Sequence, residues 1–261
     1  MKAELAVIGG TGLHEMISEG ESWDSNTSYG KPSSIITLGK IGGKNVAFLS
    51  RHGKSHTIPP HKVPYIANML ALSQIGVRKV LATTAVGSLR ADYKPGDVVF
   101  FDQFVNMTSG RVDTFFDGPE VRHQEMAEPY CSGMRNVLIR EAKALDMRYH
   151  ETGTVVVING PRFSTRAESR FYAHQGFDTI SMTPYPEITL AREKGMCYAG
   201  IGLVTDYDVG MEGDTNVKPV TFAEVQKIFG KNVEVVKKLI NAAVPKILER
   251  PLQCSCTASS E

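Results

Sequence analysis

Short apolar runs of strand length alternate along this chain with longer stretches in which apolar residues return every three or four positions. Residues 4–8 form the first run and enter a tight turn, Gly9-Gly10-Thr11-Gly12. Residues 34–38 and 45–49 predict a hairpin with Gly-Gly between them, and residues 64–75 keep a helical period that stops at Gly76. Further strands are predicted over 79–83, 96–101, 154–158, 179–182 and 197–204, the last within an apolar run that begins at Met196, and further helices over 131–145, 165–174, 186–194 and 221–248. Strands that alternate with helices predict an α/β fold with a largely parallel sheet. Residues 209–219 are polar and glycine-bearing and predict a mobile loop; residues 1–250 read as one domain and 251–261 as a frayed tail carrying Cys-Ser-Cys.

Charge narrows the partners. Lys and Arg number 29 against 28 Asp and Glu, a net charge of +1. That balance speaks against nucleic acid or a membrane surface as the main partner and leaves room for a small anionic substrate held by local basic groups. The opening apolar run is too short for a secretory signal, and no run is long enough to span a bilayer, so a cytoplasmic protein is expected. Four cysteines, Cys131, Cys197, Cys254 and Cys256, lack the paired spacing of a zinc ribbon, so structural zinc is not expected. A cytosolic chain keeps them reduced, unless it is hyperthermophilic.

Candidate chemistry gathers at strand ends. Asp206 and Asp208 follow the apolar run that ends at Val204, and residues two apart on a strand face the same side. Two carboxylates there can face a ligand at the C-terminal edge of the sheet, and a carboxylate pair suits a purine edge that offers an amino donor and a ring-nitrogen acceptor. Arg51-His52, Thr83-Thr84-Ala85 and Thr183 sit at other strand ends; hydroxyls with an arginine make a phosphate pocket, since a guanidinium grips phosphate in bidentate fashion. Gly9-Gly10-Thr11-Gly12 can cradle an anion, although neither a dinucleotide fingerprint nor a Walker lysine is present. His52, His56 and His61 are spaced for a helical metal site only in part, because glycine and prolines interrupt them, so no metal is expected. A Gly-x-Ser-x-Gly elbow is absent.

Several longer motifs carry a resemblance: Ile-Gly-Gly-Thr-Gly-Leu from Ile8, Arg-His-Gly-Lys-Ser-His-Thr-Ile-Pro-Pro-His from Arg51, Thr-Ala-Val-Gly-Ser-Leu-Arg from Thr84, Met-Ala-Glu-Pro-Tyr-Cys from Met126, Gly-Pro-Arg-Phe-Ser-Thr from Gly160, Met-Thr-Pro-Tyr-Pro-Glu from Met182 and Thr-Asp-Tyr-Asp from Thr205. Together, over residues 9–248, they resemble the methylthioadenosine phosphorylase branch of the trimeric purine nucleoside phosphorylases, and the terminal Cys-x-Cys is similar to that of archaeal members. The resemblance implies a single domain with a twisted, mostly parallel or mixed sheet flanked by helices. It implies that Thr11, Arg51, His52, Thr84, Ala85 and Thr183 bind phosphate, that Met182 lies against the ribose, and that Phe163 packs on the base with Ser164 nearby. Asp206 and Asp208 would read the base, with Asp206 the donor to N7. His123 would reach a neighbouring subunit's site in a trimer or dimer of trimers, and Phe222 would line the 5′ pocket. Inorganic phosphate is the implied co-substrate, with no cofactor, and disulfides Cys131–Cys197 and Cys254–Cys256 are implied by the archaeal likeness.

The implied reaction is a glycosyl transfer: 5′-methylthioadenosine and phosphate give adenine and 5-methylthioribose 1-phosphate. Aspartate at 206 favours 6-aminopurines, because an ionised carboxylate accepts from an amino group and faces the lone pairs of a 6-oxo oxygen. The alternative is a purine nucleoside phosphorylase acting on 5′-hydroxyl nucleosides (adenosine, inosine, guanosine), which Gln124, Glu125 and Phe222 would suit by making the 5′ side more polar and more crowded.

Overall fold

The computed structural model describes residues 2–10, 13, 16–17, 20–209, 221–249 and 251–256; the side chains of Phe222, Glu224, Gln226, Lys227, Phe229 and Lys231 lie outside that description. In chain order the strands are β1 (Leu5–Gly9), β2 (Glu21–Trp23), β3 (Ile36–Ile41), β4 (Lys44–Ser50), β5 (Lys79–Ser88), β6 (Val98–Phe100), β7 (Gln103–Met107), β8 (Tyr149–His150), β9 (Thr154–Ile158), β10 (Thr179–Ser181) and β11 (Cys197–Tyr207). The helices are α1 (Tyr65–Gln74), α2 (Ser132–Ala144), α3 (Arg166–His174), α4 (Pro184–Glu193) and α5 (Phe222–Glu249).

Most of these elements follow from local chemistry. All five residues of β1 are buried, as a strand covered on both faces requires. Along β1, Ala6 and Ile8 pack with Met69 and Leu72 of α1 and Ile188 of α4, while Leu5 and Val7 pack with Met134 and Leu138 of α2 and Leu239 and Ile240 of α5. The alternation of the strand therefore divides the core into two layers, one on each side of the sheet. Helix α3 starts with a capping box in which the Thr165 side chain accepts from the Glu168 N–H and Glu168 answers the Thr165 N–H. Helix α1 ends before Gly76, whose φ of 92° supplies the left-handed turn that stops it.

The sheet runs β2-β3-β4-β1-β5-β10-β9-β7, with β11 joining β5 on a branch that continues to β6 and β8. Six strand pairings are parallel and four antiparallel, so the sheet is mixed rather than largely parallel. β5 is the branch point: it lies parallel to β1 near its start, antiparallel to β10 near its end, and parallel to β11 along its whole length. Two predicted strands prove longer than their apolar runs, β5 reaching Ser88 and β11 reaching Tyr207. β2, β7 and β8 were not predicted. The loop expected over 209–219 falls almost wholly outside the described residues.

Residues 251–256 differ from the frayed tail expected over 251–261, whose residues 257–261 lie outside the described residues. Leu252 and Cys254 pack against the α2/α5 layer and Cys256 is buried in it. A methyl on Gly133 would stand 3.0 Å from Leu252 Cβ, so the segment lies directly on the first turn of α2. No helix among the described residues is long and apolar enough to cross a membrane.

Candidate active site

The ends of β5 and β11 run side by side in register up to Val204–Val86, and pairing resumes at Asp206–Gly87, so Thr205 is an extra residue on β11. A cavity of about 760 Å³ opens at these strand ends. The turn after β4, the end of β10, residues 163–164 and the first half of α5 complete its wall. This is the crevice at the carboxyl ends of strands in which an α/β sheet presents ligand-binding groups.

One end of the cavity is basic and rich in hydroxyls. Arg51 is 2% exposed and Glu187 is fully buried. Arg51 Nε donates to Glu187 Oε2 at 2.7 Å, Nη2 donates to Oε1 at 2.8 Å, and Nη1 donates to the Thr83 carbonyl at 2.7 Å. Burial disfavours the guanidinium charge, but the Glu187 carboxylate more than offsets this and holds the Arg51 pKa above its ordinary value. Tyr198 completes the clamp, its hydroxyl donating to Glu187 Oε1 at 2.7 Å.

His52 is a neutral group here. Burial first, and then the charge of Arg51, lower its pKa to about 4. Its Nδ1 lies 2.8 Å from the Ile58 carbonyl, which can only accept, so Nδ1 carries the proton and Nε2 keeps a lone pair. Beside it, Thr84 Oγ1 is 2.9 Å from Ser181 Oγ and 3.1 Å from Thr183 Oγ1, and Ser181 Oγ donates to the Ala85 carbonyl at 3.1 Å. Ser181 and Thr183 are two residues apart at a strand end, and that spacing sets them on one side.

The other end is acidic. Asp208, 3% exposed, is held by Ser164, whose Oγ lies 2.8 and 2.6 Å from its two carboxylate oxygens. Thr205 Oγ1 donates to Asp206 Oδ1 at 2.6 Å. A methyl on Gly87 would stand 3.1 Å from Asp206 Oδ2 and 3.5 Å from Asp208 Cβ, so both carboxylates occupy the space that this glycine leaves open. Phe163, Ile180, Met182, Val225 and Val233 form apolar walls between the two ends. Met182 fits because Gly160, at a φ of 62°, has no side chain; a methyl there would lie 2.5 Å from Met182 Sδ.

The cavity thus gathers Arg51, His52, Thr84, Ala85, Phe163, Ser164, Met182, Thr183, Asp206 and Asp208. Thr11 lies outside the described residues, although its neighbour Gly10 lines the cavity. Phe222 begins α5, whose Val225 lines the cavity, but the Phe222 side chain is outside the description. His123 is exposed and does not line the cavity of its own chain. Sequence reasoning missed Ser181, whose spacing to Thr183 was the available signal, and assigned no task to Glu187 or Tyr198, which are recognisable only once the chain has brought them to Arg51.

The cysteines differ from the implied pairing. All four are free thiols, and their Sγ atoms lie within 4.8 Å of one another. Cys197 approaches Cys254 at 3.6 Å, far beyond the ~2.05 Å of a disulfide.

The chain belongs to the Phosphorylase superfamily, whose family pattern it matches over residues 4–245. It is 49% identical over 257 residues to S-methyl-5′-thioadenosine phosphorylase of Thermofilum pendens, which covers 97% of this chain and 96% of that one. It is 50% identical over 259 residues to the protein of the same name from Saccharolobus solfataricus, covering 98% and 94%. Its fold is similar to the crystal structure of a methylthioadenosine phosphorylase from an Antarctic soil metagenomic library, with a TM-score of 0.92, 39% identity and coverage of 99% and 91%.

Proposed function

We propose that this enzyme is a pentosyltransferase that phosphorolyses 5′-methylthioadenosine to adenine and 5-methylthioribose 1-phosphate. The observation that carries the reading is a single cavity with a guanidinium and hydroxyls at one end and two carboxylates at the other. Thr84 and Gly87 are three residues apart on β5, roughly 10 Å at the rise of a strand, which suits a phosphate and a purine on opposite sides of one ribose carbon.

In this reading Arg51, Thr84, Thr183 and the backbone at Ala85 hold phosphate, with Thr11 a further ligand. Ser181 orients Thr84. The lone pair on His52 Nε2 accepts the hydroxyl of a hydrogen phosphate dianion. A phosphate oxygen attacks C1′ as the bond to N9 breaks. The ribosyl ring turns cationic, and the adjacent phosphate charge stabilises it. The electron pair of the broken bond passes into the purine, and Asp206, in its protonated form, donates its carboxyl proton or a hydrogen bond at N7 while its other oxygen accepts from the 6-amino group. Asp208, fixed by Ser164, orients the base, Phe163 packs on its face and Met182 lies against the ribose. Phe222 borders the 5′ group, and His123 of a neighbouring copy in a homotrimer completes that end. The setting is purine salvage in the cytoplasm, with phosphate the co-substrate and no cofactor.

The polar pair Gln124–Glu125 beside His123 supports one second reading, in which 5′-hydroxyl nucleosides are the preferred substrates. Base release from methylthioadenosine, adenosine, inosine and guanosine, each with and without phosphate, tests both. Release without phosphate makes the enzyme a hydrolase and overturns the proposal; faster turnover of adenosine than of methylthioadenosine selects the second reading.

A further inference from the structure

Cys197 opens β11 and Asp206 lies nine residues further on, roughly 30 Å away along the strand. Around Cys197, at the end remote from the cavity, the fold gathers Cys131 from the N-cap of α2 together with Cys254 and Cys256 from the C-terminal segment. Cys131, Cys197 and Cys256 are buried and Cys254 is partly exposed. The four sulfurs are mutually within 4.8 Å. Thiolates bonded to one tetrahedral zinc at ~2.3 Å stand roughly 3.8 Å apart. The cluster therefore reaches that tetrahedron through shifts of about 1 Å or less.

A second observation concerns charge. Arg192 of α4 is 4% exposed, and its Nε and Nη1 have no hydrogen-bond partner among the described residues. Arg192 lies close enough to Cys256 for its charge to act on that sulfur. Buried N–H groups of a guanidinium left without an acceptor are unfavourable. Four neutral thiols or two disulfides leave them in that state. A tetrathiolate around one divalent cation is net negative and supplies both the countercharge and sulfur acceptors for the idle N–H groups. At the fourth corner, Cys131 stands at the N-cap of α2, where its Sγ accepts from the Met134 N–H at 3.5 Å.

We propose that Cys131, Cys197, Cys254 and Cys256 form a structural site for one Zn²⁺, fastening the C-terminal segment to the first turn of α2 and the start of β11. Each thiol releases its proton to solvent as its sulfur bonds the cation, so affinity rises with pH. The site is independent of the reaction assigned to the cavity.

The test uses the full chain, prepared anaerobically from zinc-supplemented medium without chelator. Elemental analysis and native mass spectrometry are expected to find about one zinc per chain, with Co²⁺ exchange giving the visible bands of a tetrahedral tetrathiolate. Cys254→Ser and Cys256→Ser lie outside the sheet and the cavity. Each is expected to lower bound zinc at least tenfold and to remove the loss of Tm that a chelator causes in the parent, while phosphate-dependent base release continues. Four free thiols with less than about a tenth of an equivalent of zinc would overturn the site. So would a chain isolated without oxidant whose cysteines are already paired as disulfides.

Discussion

Arg51 and Glu187, 136 residues apart in the chain, meet as a planar fork on a carboxylate at 2.7 and 2.8 Å, with almost no solvent on either. The guanidinium thus enters the cavity with its charge already balanced, and its contribution there is geometry as much as charge.

Removing one partner of this pair leaves the other buried and unpaired. Glu187→Gln is expected to lower unfolding free energy by about 3–5 kcal/mol, read from urea denaturation. Arg51→Ala is expected to raise the phosphate requirement, with a loss on the order of 2–3 kcal/mol in transition-state stabilisation, the range of a hydrogen bond to a charged group. A phosphate saturation curve unchanged by Arg51→Ala would take this residue out of the phosphate site.

His52 gives stability a pH dependence of defined sign. Its pKa is lowered to about 4 in the folded chain and returns to ~6.5 on unfolding. Between those values the unfolded chain binds a proton that the folded chain refuses, so stability rises with pH across the window and is lost on acidification. The full shift corresponds to about 3 kcal/mol as an upper bound. His56, lowered by burial, acts in the same direction. Urea midpoints across this window are expected to rise as pH rises and fall as pH falls, and His52→Gln is expected to flatten most of the slope; an equal slope in the variant assigns the effect to other groups.

Ser164→Ala removes the hydroxyl that bonds both oxygens of Asp208. A buried acceptor left unsatisfied costs about 1–3 kcal/mol. Turnover of adenine nucleosides is expected to fall by a corresponding factor while the phosphate curve holds, because the hydroxyl lies at the opposite end of the cavity. Equal losses for both co-substrates would show a general disturbance of the pocket.

Asp206→Asn is expected to shift the inosine-to-adenosine ratio of kcat/KM by roughly tenfold or more toward inosine. An amide donates to a 6-oxo oxygen and carries no acidic proton for N7. Phe222→Ala is expected to act separately, on the 5′ group, favouring methylthioadenosine over adenosine, and the two effects should be nearly additive. If the inosine-to-adenosine ratio does not move in Asp206→Asn, Asp206 does not read the base.

Much of the fold was legible because its signals are local. Buried strands such as β1 and β9 are continuous apolar runs, and α3 announces itself with Thr165 and Glu168. β7 was not legible: Gln103 to Met107 mixes polar and apolar residues and is only partly covered. The ends of β5 and β11 were underestimated because the apolar runs are broken there by cavity-lining residues, Thr84 and Gly87 on one strand and Thr205 and Asp206 on the other, although strand pairing continues. In the site, strand-end residues such as Arg51, Thr84 and Asp208 stand out by type and position. Ser181, Glu187 and Tyr198 do not, since their partners come from distant segments. The convergence of four cysteines was hidden for the same reason: Cys131 and the C-terminal pair are brought to Cys197 by packing on α2.

The single unpaired residue on β11 has a consequence in odd and even numbers. Upstream, the even positions Tyr198 and Val204 face the layer of α1 and α4, while the odd positions Ala199, Ile201 and Leu203 face that of α2 and α5. Val204 stands opposite Val86, yet Asp206 stands opposite Gly87, the next residue on its neighbour, so the count slips by one and the even-numbered aspartates change sides. The chemistry of the acidic end therefore depends on an arithmetic offset as much as on residue type. Were Thr205 instead to take the place opposite Gly87, both acids would move one residue along β5 and turn to the layer that Val204 faces, since a one-residue slip turns every later side chain to the opposite face.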